Sequence, residues 1–294
     1  MQTFQAQLAY QLEAELGEGP LWHPVHQQLY FVDITQGTVY AFDPDRHQTQ
    51  HWKFPNFTAA LAQGANDTLF VAEQHQLSLL DTQSGTRTKV LNLDLPSDVR
   101  FNECKCDPQG RFWMGTMQLE AKERKGNFYR VDLDHKVEKI LPELTIPNGF
   151  CWTEDQQFLY HIDSFQHRVI RYRYHAEAGT LSDPTTVFTN PHPQVFLDGM
   201  CMDQKGHLWI ACWGGHQVIC VDPVQGTIIA TVQVPAPHVT SCIFGGDDFT
   251  DLYITTARLG LTDKQLEQYP LSGSLFVGKV ASSGRAANAC RINS

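Results

Sequence analysis

The sequence predicts an all-β fold, a six-bladed β-propeller closed into a single domain over residues 1–294. Three observations predict it: a strand-like motif that recurs six times, a second strand-like segment after each copy, and no long stretch with helical period.

The recurring motif reads LYFVD from Leu29, LFVAE from Leu69, RFWMG from Arg111, LYHID from Leu159, LWIAC from Leu208 and LYITT from Leu252. The copies are spaced by roughly 40 to 50 residues, the length of one four-stranded propeller blade. Polar segments such as HPVHQQ, DPQG and DQKG precede the motif and suit tight hairpins. The partner strands read VYAFDP from Val39, LSLLDT from Leu77, FYRVDL from Phe128, VIRYRY from Val169, VICVDP from Val218 and LFVGKV from Leu275. Few residues follow Lys279, whereas the chain begins with the strand-like FQAQLAY. Pairing that N-terminal strand into the last blade would close the ring and remove two exposed edges.

Composition agrees with one ordinary globular domain: 42% hydrophobic and 18% charged residues. The net charge of -10 is spread over mixed signs with no basic run, which argues against a nucleic-acid partner. The first residues lack a basic segment followed by an apolar one, and no run of about 18 apolar residues occurs, so no membrane partner and a cytoplasmic location are expected. The 8 cysteines are scattered and read as buried thiols. Cys104-Lys105-Cys106 is too tightly spaced for a zinc knuckle, and no second pair follows it.

Residues at a fixed distance before each motif should occupy equivalent loops at one rim of the central channel. Four of the six positions hold a carboxylate or carboxamide: Glu18, Asn102, Asn148 and Asp198. Oxygen donors converging from separate blades suit a hard cation better than structural zinc. Asn148-Gly149 and Asp198-Gly199 can also be read as plain turns, since Asn-Gly and Asp-Gly often are. Glu18 between Gly17 and Gly19 fits a turn less well, because those glycines permit close approach of backbone and add nothing to a core.

Four stretches carry a more specific resemblance: LGEGPLWHP from Leu16, RFNECKCDPQGRFWMGTM from Arg100, TIPNGFCWTEDQQFLYHIDS from Thr145 and LDGMCMDQKGHLWIACWGG from Leu197. Together they resemble the regucalcin/gluconolactonase family, also called the senescence marker protein family. The resemblance implies one divalent cation, Ca²⁺ first with Mn²⁺, Zn²⁺ or Mg²⁺ as alternatives, held by Glu18, Asn148 and Asp198. It implies that Arg100, Asn102 and Glu120 contact substrate, and that Asp198 also serves as general base. The activity implied is hydrolysis of a small sugar lactone, such as glucono-, arabinono-, xylono- or galactonolactone, by a monomer or small homo-oligomer. A calcium-dependent phosphotriester hydrolase and a calcium- or sugar-binding protein without turnover stand as alternatives. Glu103 and Cys104 depart from the Asp and Gly common in that family, and QLEAKERKG from Gln118 reads as a rim loop or lid.

Other chemistries lack their motifs: no G-x-S-x-G, H-E-x-x-H or G-x-G-x-x-G occurs. His23 and His161 are expected to be packed or at the rim rather than catalytic. Trp113, Trp152, Trp209 and Trp213 are expected in the core or channel wall, with Trp213 able to face a ligand.

Overall fold

The computed structural model describes residues 1–292 of the chain. Its strands form four sheets of four strands and one of eight, a propeller-like all-β arrangement. After β1 (Gln2–Tyr10), the first sheet holds β2 (Gly17–His23), β3 (Gln28–Asp33), β4 (Thr38–Asp43) and β5 (Gln48–Lys53). The second holds β6 (Thr58–Gln63), β7 (Thr68–Glu73), β8 (Gln76–Asp81) and β9 (Arg87–Asn92). The third holds β10 (Val99–Cys106), β11 (Phe112–Gln118), β12 (Gly126–Val131) and β13 (Val137–Leu144). The fourth holds β14 (Pro147–Trp152), β15 (Phe158–Asp163), β16 (Arg168–His175) and β17 (Thr180–Thr189).

The eight-stranded sheet contains β18 (Phe196–Met202), β19 (Leu208–Trp213), β20 (Gln217–Asp222), β21 (Thr227–Gln233), β22 (His238–Gly245), β23 (Asp251–Ala257) and β24 (Leu275–Lys279) together with β1. Strand β1 joins its two halves. It runs antiparallel to β24, with Leu8 opposite Phe276, and parallel to β21, with Phe4 opposite Val232. The N-terminal segment therefore does what its strand-like sequence predicts: it supplies the fourth strand beside β22, β23 and β24 and covers an edge.

The six recurring motifs are β3, β7, β11, β15, β19 and β23. They are buried on both faces, because each lies inside its sheet with a neighbouring sheet on either side. That explains why they read as continuous apolar runs instead of alternating ones. The last strands β5 and β9 are largely exposed. The first strands form a closed circuit, with β2 packed on β6, β6 on β10, β10 on β14, β14 on β18, β18 on β22 and β22 back on β2. Among the described residues, helix is confined to a 3-10 turn and α1 (Asp263–Gln268), whose capping box joins Thr262 to Gln265.

The sequence assigns no element after Lys279, but the structure uses that segment as a strap. Gly284 donates its amide to Phe249 O (2.8 Å), Cys290 to Gln63 O (2.7 Å) and Arg291 to Gly110 O (2.9 Å). Asn288 Nδ2 adds a bond to Cys106 O (3.0 Å). The strap thus spans several sheets at the ends where their first strands finish. All eight cysteines are free, and Cys151 alone is only half-buried. Among the described residues, no helix is long and apolar enough to cross a membrane.

Candidate metal centre

Every first strand breaks register with its neighbour at the same phase. The irregularity falls between Glu18 and Leu21 in β2, Thr58 and Ala60 in β6, and Phe101 and Cys104 in β10. It falls between Pro147 and Phe150 in β14, Leu197 and Met200 in β18, and Val239 and Ser241 in β22. A bulge frees one or two residues from the ladder and re-aims their side chains. The residues freed include Asn102, Asn148 and Asp198, while Glu18 sits at the edge of its own bulge. The phase argument from sequence thus has a backbone cause. In β6 and β22 the same phase holds Ala59 and Thr240, which is why only four of the six first strands offer a carboxylate or carboxamide there.

The plain-turn reading of Asn148-Gly149 and Asp198-Gly199 does not hold. Both pairs lie within strands, and neither glycine is among those with positive φ. Their role is close approach. A Cβ on Gly149 would lie 2.6 Å from Asp198 O and 2.6 Å from Met200 N; one on Gly199 would lie 2.1 Å from Ser241 Oγ. Gly149→Ala is therefore expected to push β18 away from β14 and to cost about 1–3 kcal/mol, the usual range for overpacking. An unchanged denaturant midpoint would show that the two strands do not need to touch.

The polar side chains at and beside these bulges form one buried cluster. Glu18, Arg100, Asn148 and Asp198 are all less than a tenth exposed. Arg100 Nη1 donates to Asn102 Oδ1 (2.8 Å) and to Phe101 O (2.8 Å), and Asn102 Nδ2 donates to Pro147 O (3.2 Å). Asn148 Nδ2 donates to Ser164 Oγ (3.1 Å), and that hydroxyl donates on to Leu197 O (2.7 Å). This chain ties β14 to β18 beside Asp198.

Burial pushes the Glu18 carboxyl up to about 8, with the Glu103 carboxylate adding to the rise and the Gly19 amide opposing it. Burial also drives Asp198 well above the usual carboxylate range, reinforced by Glu18 and Glu103 and opposed by Asn148 and the Gly199 amide. Burial lowers Arg100 to about 10 while Glu18 and Asp198 hold it up, so it stays charged at neutral pH. Buried like-charged carboxylates repel one another and favour a compensating cation or a shared proton. Carboxylate and carboxamide oxygens suit a hard divalent cation, so this donor set fits the ion implied by the resemblance.

Two residues of the cluster escape sequence reasoning. Glu103 is buried at 5% exposure and acts electrostatically on both Glu18 and Asp198. Lys105 lies 3.2 Å from Glu103 Oε1 and donates to Phe150 O (3.0 Å) and Met200 O (2.6 Å). The available signal was alternation: Cys104 and Cys106 enter the core between the second and third sheets, so the residue between them faces the opposite way.

Glu120 stands apart from the cluster. It lies on the exposed loop between β11 and β12, the predicted rim loop, where its carboxylate pairs with Lys122 Nζ at 2.8 Å. The loop leaves β11 opposite Val99, the residue before Arg100, so it belongs to the same end of the sheets. His161 is buried against Phe128 and held neutral, its pKa lowered to about 4 by burial, as the packed reading expects. His23 is likewise buried and lowered to about 4. Trp113 and Trp209 are core residues, and Trp213 stacks on His238 with centroids 4.0 Å apart.

A second group of ligand-type atoms, on Asp203, His207 and Cys220, lies within 4.8 Å. Asp203 is already engaged: one oxygen accepts the amides of Lys205 and His207 (both 2.9 Å), the other Trp209 Nε1 (3.1 Å) and Ser282 Oγ (2.7 Å). Asp107 repeats the pattern with Gln109, Arg111 and Trp113 in the third sheet. The shared D-x-x-G turn explains both. Burial also pushes the Cys220 thiol far up, away from the thiolate a metal needs.

Residues 16–258 match the family described as the SMP-30/Gluconolactonase/LRE-like region. A Bacillus subtilis (strain 168) protein provisionally named sugar lactone lactonase YvrE is 36% identical over 272 residues, covering 92% of this chain and 93% of its own. Bovine regucalcin is 34% identical over 267 residues, 88% of this chain and 89% of its own. The crystal structure of regucalcin from Agrobacterium tumefaciens strain C58, described as a calcium-binding protein, superposes with a TM-score of 0.94 at 28% identity, covering 99% of this chain and 98% of that one. With its sheets and its polar cluster alike accounted for, the chain belongs to the SMP-30/gluconolactonase/LRE-like family.

Proposed function

We propose that this protein is a six-bladed propeller, the eight-stranded sheet counting as two blades joined through β1, that hydrolyses a small sugar lactone to its aldonic acid with one divalent cation. The observation that carries the reading is the convergence, at bulges of one phase, of buried carboxylates flanked by a buried arginine. Glu18, Asn148 and Asp198 would hold the ion, Ca²⁺ first and Mn²⁺, Zn²⁺ or Mg²⁺ otherwise. When bound, such an ion supplies Lewis-acid polarisation of a carbonyl and lowers the pKa of water. The Bacillus subtilis relative named for sugar lactones and the family description, which names gluconolactonase, support the substrate class.

The residues divide the remaining work. Arg100 keeps its charge and faces the cluster, so it would donate to ring or carbonyl oxygens of a polyol. Asn102, held between Arg100 and Pro147 O, would orient the substrate. Asp198 would accept the proton of the attacking water as the general base. Glu120 would accept hydroxyl hydrogens once the rim loop settles over the ligand.

The deciding experiment is a pH-indicator assay on a panel of aldonolactones and phosphotriesters, with and without chelator, alongside elemental analysis. Lactone turnover that vanishes on chelation and returns with Ca²⁺ or Mn²⁺ supports the reading; full turnover in metal-free protein sinks it. Preference for phosphotriesters, or stoichiometric Ca²⁺ binding without any turnover, would replace it. The second of those outcomes is the reading favoured by the calcium-binding description of the Agrobacterium relative. Arg100→Ala is expected to lower kcat/KM for polyhydroxylated lactones by about 10- to 100-fold, as loss of a charged hydrogen bond should, with metal content unchanged. Glu120→Ala should act more weakly and mainly through KM. Loss of metal in either variant would move that residue into the ligand set.

A further inference from the structure

Three facts about Lys105 fit together. Its ammonium has three donors, and three acceptors surround it: Phe150 O at 3.0 Å, Met200 O at 2.6 Å and Glu103 Oε1 at 3.2 Å. Those acceptors belong to three consecutive first strands, β14, β18 and β10. Phe150 and Met200 are the residues at which pairing resumes after the bulges, opposite His161 and Ile210. Each lies two positions beyond a predicted ligand, Asn148 or Asp198.

We infer that Lys105 is a positioning residue that clamps the bulges of β14 and β18 and thereby sets the separation between Asn148 and Asp198. The inference rests on the reading of those two residues as ligands. A bulged strand lacks ladder bonds where it bulges, so its local geometry needs another restraint. The carbonyls of Phe150 and Met200 point to one cation from two strands, and Gly149 lets those strands touch. Phe150 also offers its ring to the same ammonium, 5.4 Å from the centroid. A point charge with three rotatable donors suits this tripod, whereas the planar fork of arginine does not. On the far side of Lys105 opens a cavity of about 330 Å³. Its wall includes Glu103, Lys105, Cys151, Cys201 and Cys242 but none of Glu18, Asn148 and Asp198. Lys105 is therefore the floor under the ligand layer.

The test compares the wild type, Lys105→Met and Glu103→Gln by hydrogen–deuterium exchange in chelator, and by competition for Ca²⁺ against a chromophoric chelator. Lys105→Met is expected to speed exchange selectively in peptides covering 147–152 and 196–202, leaving β7 protected. It should also weaken Ca²⁺ binding by about 10- to 100-fold, the usual cost of losing a group that orients metal ligands. Glu103→Gln keeps both carbonyl bonds and should leave exchange in those two strands as in the wild type. Unchanged exchange in β14 and β18 in Lys105→Met, loosening spread equally to β7, or loosening of both strands in Glu103→Gln would each overturn the clamp. The last outcome would make Lys105 only a counter-charge for Glu103, and it decides the matter even if Lys105→Met does not fold. A wild type that binds no divalent ion would overturn the metal reading instead, and the exchange data would still decide whether Lys105 holds the two strands.

Discussion

Asp198→Asn is expected to fold, to keep part of its metal affinity and to lose the reaction. The substitution is nearly isosteric, and Asp198 lies in a bulge whose backbone is fixed by Gly199 packed on Ser241 and by Ser164 bound to Leu197 O. A carboxamide there still offers one oxygen to a cation, beside Glu18 and Asn148. It also removes one of the buried carboxylates that repel each other, so stability should hold or rise. What it cannot do is accept a proton. Loss of a general base costs about a hundredfold to ten-thousandfold in rate, and the reduced negative charge at the cation adds to that. The measurement is kcat at saturating metal, beside circular dichroism and metal stoichiometry. A folded, metal-loaded variant within a few-fold of the parent would show that another buried carboxylate of the cluster, Glu18 or Glu103, takes the proton.

Glu103 marks the limit of what the sequence discloses. The second strands were legible because burial on both faces leaves unbroken apolar runs such as LYFVD and LWIAC, and the turns because Asp107 and Asp203 head the same D-x-x-G pattern. The phase of Glu18, Asn102, Asn148 and Asp198 was legible because each falls at a bulge that repeats with the sheets. A bulge, however, frees two residues in β10, and the second of them reads in sequence as a departure from the family pattern rather than as a site residue. Lys105 was hidden by its neighbours, since Cys104 and Cys106 invite a zinc argument and its rejection dismisses the lysine with it. The strap after Lys279 was hidden for another reason. It forms no strand, and its bonds to Gln63, Gly110 and Phe249 depend on where the closed circuit of sheets brings those residues.

Cation binding is expected to strengthen as pH rises towards about 8. In the cation-free protein, burial and the Glu103 carboxylate raise Glu18 from 4.5 to about 8, so at neutral pH that carboxyl carries a proton. A cation must displace it, and each displaced proton makes the apparent affinity climb about tenfold per pH unit below the pKa. Stability follows with the sign set by the raised pKa. The contribution of Glu18 to folding is fully present below its unfolded value of 4.5 and is lost as pH rises through about 8. The chelated protein should therefore lose stability across that window, while a bound cation, which favours the ionised carboxylate, offsets the loss. The difference in Tm between Ca²⁺-loaded and chelated protein should widen from about pH 6 to about pH 8, alongside proton release measured calorimetrically in two buffers. A difference that is flat or narrows with pH would mean that the ion binds without engaging Glu18. In that case the donor set would have to be rebuilt around Asp198 and Glu103.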